Sequence, residues 1–138
     1  PVSHHLAATK ALDRVVGGWP VPEAADKIRR LMHYGQIVQS HALHFFHLSS
    51  PDLLFGFDAE PTRRHILAVA QAHPDIARQG VLLRRFGQQV IELTAGKRIH
   101  GTGAVPGGMK RRPERAECAA MLAESAAAVP KAIEARVN

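Results

Sequence analysis

EAADKIRRLMHYGQIVQSHALHFFHL, residues 23–48, decides the architecture. Its apolar residues Ile28, Leu31, Met32, Val38, Ala42, Phe45 and Phe46 fall on one broad face when each residue advances about 100° around an axis. Arg29, His33, Gln36, Ser40, His44 and His47 fall on the opposite stripe, with His41 on the border. That periodicity predicts one long amphipathic helix. Pro22 suits a first helical turn, and Glu23 and Asp26 complement the positive end of the helix dipole. Ser49-Ser50-Pro51-Asp52 predicts its end, because Pro51 disfavours the α region at Ser50.

The flanks read the same way. A helix is expected from Val2 to Val16, stopping at Gly17-Gly18, with a stiff linker Trp19-Pro20-Val21-Pro22. After an apolar loop, Leu53 to Phe57, a third segment starts near Pro61-Thr62 and is interrupted at His73-Pro74. It resumes from Asp75 to about Thr94 and stops at Gly96, with Ile76, Leu83, Phe86 and Val90 on its core face. GTGAVPGG, residues 101–108, is too rich in glycine for regular structure. A last helix starts at Pro113 and runs to Val129, where Pro130 breaks or kinks it. These segments predict an all-α fold, an antiparallel bundle of about four long helices with one Gly/Pro-rich loop, forming a single domain over residues 1–138.

Composition narrows the function classes. The chain has 138 residues, 46% hydrophobic and 22% charged, an ordinary balance for one globular domain. No apolar run approaches the roughly 20 residues that span a bilayer. The net charge of +6 is compatible with an anionic partner or with an arginine-rich solvated surface. Its cations come in small clusters, Arg29-Arg30, Arg63-Arg64, Arg84-Arg85, Lys97-Arg98 and Lys110-Arg111-Arg112. Aromatics are only 5%, which weakens single-strand stacking as a function. Cys118 is the only cysteine, so no internal disulfide forms and a reducing compartment is expected. It sits in an Ala-rich helix and reads as a buried, inert thiol.

His41, His44 and His47 recur every third residue. Neighbouring pairs could share a metal, but all three drift by about 60° per step around the axis. A zinc site needs three or four ligands, hence partners from elsewhere. Metal ligands, a polar lining behind a site, and histidines packed within a bundle all remain open. GTGAVPGG lacks the Gly-Lys-Ser/Thr closure of a phosphate loop and follows no strand. Its glycines read instead as close backbone approach.

Three stretches taken together go further. PVSHHLAATKALD (1–13), QSHALHFFHLSSPDLLFGFD (39–58) and GKRIHGTGAVPGG (96–108) resemble the large, catalytic subunit of nickel–iron hydrogenases, most nearly its cytoplasmic NAD-linked bidirectional group. The resemblance runs in order over nearly the whole chain and is weakest after Lys110. In that family a Cys-Gly-x-Cys motif precedes a histidine by three residues, and Pro1-Val2-Ser3-His4 matches the segment just after it. A second cysteine pair lies near the family's C-terminus. The resemblance therefore implies an internal piece of a longer subunit, without the thiolates that hold nickel and iron. No metal ligand carries over to this chain.

What carries over surrounds the metal centre. His4 matches the histidine that hydrogen-bonds a bridging cysteine, and Ser40 and His41 match positions lining the centre's open side. Many respiratory relatives have Asp at the Ser40 position, so a role through charge does not transfer. His44 lies one turn further along the same helix. Gly96, Lys97, Arg98, His100, Pro106, Gly107 and Gly108 match the motif facing the small subunit, with His100 directed at its proximal iron–sulfur cluster. The resemblance implies reversible oxidation of H2 at a nickel–iron centre. Electrons would leave through iron–sulfur clusters to FMN and NAD in diaphorase subunits, with neither nucleic acid nor membrane as partner. Coenzyme F420-reducing and sulfur-linked cytoplasmic hydrogenases are the nearest alternatives. A basic helical module for nucleic acid or an acidic protein is the alternative from another class.

Overall fold

The computed structural model describes residues 1–17 and 20–134. Gly18 and Trp19, in the expected helix stop and linker, lie outside the described residues. Helix α1 spans Val2–Val15, α2 Glu23–Leu43, α3 Ser50–Phe55, α4 Ile66–Ala72, α5 Pro74–Ala95 and α6 Arg115–Glu134. Four of these are long, α1, α2, α5 and α6, as the periodicity predicts.

The centre of the fold is the α2–α5 pair. Gly35 lies opposite Val90 and Gly87, Gln39 opposite Gly87, and Phe46 opposite Gly80. Rising numbers on one helix meet falling numbers on the other, so the two are antiparallel. A Cβ on Gly87 would come within 2.6 Å of Gln39 N and 2.7 Å of Gly35 O. The two backbones therefore touch at a place where no larger residue fits. Two apolar clusters grow from this contact. Val2 and Leu6 of α1 meet Met32, Ile91, Ala95 and Ala104 in one. Ala42, Phe46 and Leu83 form the other, with Ile76 and Ala128 against it. Met32 and Ile91 are at most 1% exposed, so each contributes about 1.5–3 kcal/mol through apolar burial.

Several expectations need correction. The long helix does not stop at Ser49-Ser50-Pro51. Residues His44–Ser49 form a π-helical turn that passes directly into α3, which extends to Phe55. Ser50 adopts the α region (φ −59, ψ −35) despite Pro51. The wide turn is supported by the Ser50 hydroxyl, which donates to Phe46 O at 2.6 Å, next to the proline that has no N–H to offer. Leu53 to Phe55 therefore belong to a helix, not a loop. Arg29 is buried at 3% exposure, although its residue type put it on the polar stripe. Leu31 and Phe45, expected in the core, are exposed.

The third segment begins with a 3-10 turn, Pro61–Arg63, and separates into α4 and α5 at His73. It ends where Gly96 enters the left-handed region at φ 79. The Gly-rich stretch is not wholly irregular. Ala104–Val105 (β1) pairs antiparallel with Gly108–Met109 (β2), and Pro106-Gly107 makes the turn. Gly107 has φ 81, as a turn with proline first and glycine second requires. Helix α6 starts at Arg115, two residues later than expected, and continues through Pro130 to Glu134. Cys118 on it is exposed rather than buried. Among the described residues no helix is long and apolar enough to cross a membrane.

Candidate functional site

The residues singled out in the sequence fall into separate groups. Met32 shares a cluster with Ala95 and with Leu6, which follows closely after His4 on α1. The 96–108 stretch belongs to one end of the α2–α5 pair, whereas His4, nine residues before the Asp13 that meets Arg29, lies towards the middle of α2, where Ser3 and Leu6 line a pocket with His33 and Tyr34. Ser40, His41 and His44 lie towards the other end, with His41 about 14 Å further along α2 than Met32. His4, Ser40, His41 and His44 are all exposed.

The triple histidine does not converge. His41 Nδ1 donates to Ile37 O at 2.9 Å within its own helix. His44 Nδ1 hydrogen-bonds Ser49 Oγ at 3.2 Å. His47 is half-buried, and its Nδ1 has no partner among the described residues. No group of three or more His, Cys, Asp or Glu side chains able to hold a metal ion occurs among the described residues.

The 96–109 segment is better defined. It leaves α5 at Gly96 and folds back on the helix end, where Thr102 N donates to Ala95 O at 3.2 Å. Lys110 N donates to Gly103 O at 2.8 Å and closes the base of the hairpin. Arg98 Nε donates to Glu92 Oε2 at 2.8 Å, back onto α5. Gly96, Lys97, Arg98, His100, Pro106 and Gly107 are exposed and Gly108 is half-buried. His100 has φ 52, the only positive φ outside glycine among the described residues. A left-handed side-chain-bearing residue costs about 1–2 kcal/mol. Such strain persists where the surroundings enforce it, and it collects at functional positions.

Beneath the hairpin lies a polar anchor. Arg29 Nη1 donates to Asp13 Oδ2 at 2.6 Å, and Nη2 to Asp13 Oδ1 at 3.3 Å. Arg29 Nη2 also donates to Val105 O at 2.7 Å and Gly108 O at 3.1 Å. Asp13 Oδ1 accepts from Gly107 N at 2.6 Å. The Arg29 guanidinium, then the Gly107 amide, hold the Asp13 carboxyl below its ordinary range. Reading each residue by its type alone overlooks this pair. The available signal is phase: Ala25, Arg29 and Met32 recur at i, i+4 and i+7, and all three are buried. An arginine inside an apolar stripe needs a partner to neutralise it.

Comparison with known proteins gives the setting. Residues 1–73 match the family model described as nickel-dependent hydrogenase. The chain belongs to the nickel-dependent hydrogenase family. It superposes on a chain of the crystal structure of NAD+-reducing [NiFe]-hydrogenase in the H2-reduced state with a TM-score of 0.94 and 56% identity. That match covers 98% of this chain and 30% of the other. It is 46% identical over 121 residues to the NAD-reducing hydrogenase HoxS subunit beta of Cupriavidus necator, covering 84% of this chain and 25% of that protein. It is also 46% identical over 110 residues to the matching subunit of the F420-non-reducing hydrogenase vhu of Methanocaldococcus jannaschii, covering 80% and 26%. The chain thus spans a quarter to a third of the length of these relatives.

A nickel–iron centre is what the family name implies, and this chain's donors do not fit one. Nickel and iron take thiolate or imidazole ligands; the single thiol here, Cys118, stands exposed on α6, and among the described residues no three His, Cys, Asp or Glu side chains come together to hold an ion.

Proposed function

We propose that this chain is a stretch of a hydrogenase large subunit that oxidises dihydrogen reversibly and delivers the electrons to NAD+. The overall reaction is H2 + NAD+ giving NADH + H+. The observation that carries this reading is the 56% identity and 0.94 TM-score over 98% of the chain to the NAD+-reducing enzyme. Among the curated relatives the F420-non-reducing subunit and the NAD-reducing HoxS subunit are equally similar, at 46%, so the choice of the NAD-linked group rests on the solved structure.

Within that enzyme the chain has two roles. The α2–α5 pair is scaffold. His4, Ser40, His41 and His44 lie near the nickel–iron centre without ligating it, and tune its surroundings through hydrogen bonds. The 96–109 segment faces the small subunit, where Lys97, Arg98 and His100 meet complementary charge and the neighbourhood of an iron–sulfur cluster. The centre's ligands, the iron–sulfur clusters, FMN and the NAD site belong to residues and subunits outside this chain. The diaphorase subunits are its onward partners, and the complex is cytoplasmic. Large exposed apolar side chains support membership of a bigger body, among them Val15, Leu48, Phe57, Leu67 and Leu122.

The test is coexpression of the complete reading frame containing this chain with its small, diaphorase and maturation partners. Nickel bound to the large subunit together with hydrogen-dependent NAD+ reduction is the expected result. A purified complex that contains no nickel and reduces no NAD+ under hydrogen refutes the reading.

A further inference from the structure

We infer that Asp13 and Arg29 are positioning residues for small-subunit docking: they fix the Pro106–Gly107 turn against α1 and α2, so that residues 96–109 are presented in one pose. The inference rests on the hydrogenase reading above and adds two residues from outside the 96–108 stretch.

The hairpin cannot set its own pose. Each strand has two residues, and an isolated two-stranded hairpin is marginal in water even when longer. Its order must come from outside. Three of its backbone groups, Val105 O, Gly107 N and Gly108 O, bond to the Asp13–Arg29 pair. Asp13 stands near the end of α1 and Arg29 in the second turn of α2. One ion pair therefore ties two helices and the turn together. Its geometry is two-pronged, which fixes orientation as well as distance. Arg29 is buried, so without Asp13 its charge is left unneutralised, with only the carbonyls of Val105 and Gly108 as partners.

The link to docking is the continuity of the chain. From Gly96 to Lys110 the path is held at the helix end by Ala95 O, at the hairpin base by Gly103 O, and at the turn by Asp13 and Arg29. Release of the turn frees the distal part of the segment while the α5 end stays attached. A partner that binds only the anchored pose then sees an apparent dissociation constant raised by the inverse of that pose's population.

The experiment uses the complete large subunit with its small partner, and their affinity is measured well below the unfolding temperature. Asp13→Asn breaks the ion pair. Gly107→Ala loosens the turn independently: its Cβ meets nothing within 4 Å, and only the φ of 81 opposes it. Ser50→Ala removes the bond to Phe46 O, remote from the hairpin, and serves as a stability control. Asp13→Asn and Gly107→Ala are expected each to weaken small-subunit binding about tenfold or more, while Ser50→Ala leaves it unchanged. If Asp13→Asn fails to fold, Gly107→Ala decides. Wild-type affinity in the folded variants overturns the positioning role and leaves the hydrogenase reading standing. A nickel-free wild-type subunit that binds no small subunit overturns both.

Discussion

Replacing Gly87 by alanine sets two opposed effects against each other at the centre of the fold. Gly87 lies inside α5, where alanine is favoured over glycine by up to about 1 kcal/mol. On propensity alone the variant is more stable. The packing opposes this. The new Cβ would stand 2.6 Å from Gln39 N, 2.7 Å from Gly35 O and 2.8 Å from Gln39 Cβ. Two of those atoms are backbone of α2 and cannot rotate away. Relief to ordinary contact needs the helices to part by most of an ångström, which loosens Met32 against Ile91 and Phe46 against Leu83. Overpacking of this kind costs about 1–3 kcal/mol, and contacts with rigid backbone put this site in the upper part of that range, so after the propensity gain the net expectation is destabilisation by about 1–2 kcal/mol. In a domain of this size that lowers the melting temperature by roughly 3–8 °C. The assay is thermal unfolding of the variant beside the wild type, followed by circular dichroism. An unchanged or raised melting temperature would refute the close approach of α2 and α5.

Three further expectations follow from individual residues. The Asp13 carboxyl titrates below its ordinary value, so its stabilising contribution is complete above the unfolded pKa of about 4 and is lost as pH falls through the lower folded value. Acid unfolding curves of the wild type and Asp13→Asn should therefore converge below pH 4, and curves that stay equally far apart contradict the pairing. His100→Gly should raise stability by about 1 kcal/mol, because glycine adopts φ 52 without steric cost, while weakening binding of the small subunit; a loss of thermal stability argues against strain at His100. Cys118→Ser should leave nickel content and hydrogen-dependent activity unchanged in the assembled enzyme, since the thiol is exposed on α6, and loss of nickel in that variant would make it a ligand.

The helices are legible in the sequence because their signals are local. Pro74 and Gly96 punctuate α5 where the breaker rules place them. The long apolar period of residues 23–48 produces α2, although Leu31 and Phe45 on its margin turn outward. The motifs are legible because three separated stretches agree on one family. What is not legible depends on partners remote in the chain. The two-residue strands exist because Asp13 and Arg29 bond to them across separations of 76–94 residues. Arg29 looks solvated in the sequence because arginine usually is. Ser50-Pro51 looks like a stop because the local rule considers only backbone crowding. It does not anticipate a π-turn whose free carbonyl takes the Ser50 hydroxyl. The left-handed His100 has no sequence signature, since histidine gives no reason for a positive φ. The placement of Ser40, His41 and His44 around a centre rests on the resemblance alone.

The most direct test of the account is chemical labelling of lysine amines in the large subunit, with and without its small partner bound. Lys97 and Lys27 are both exposed in this chain. Lys97 lies at the α5 end of the 96–109 segment, and Lys27 on α2 serves as the reference. The account predicts that binding of the small subunit protects Lys97 strongly relative to Lys27. Equal labelling of Lys97 with and without the partner would contradict it.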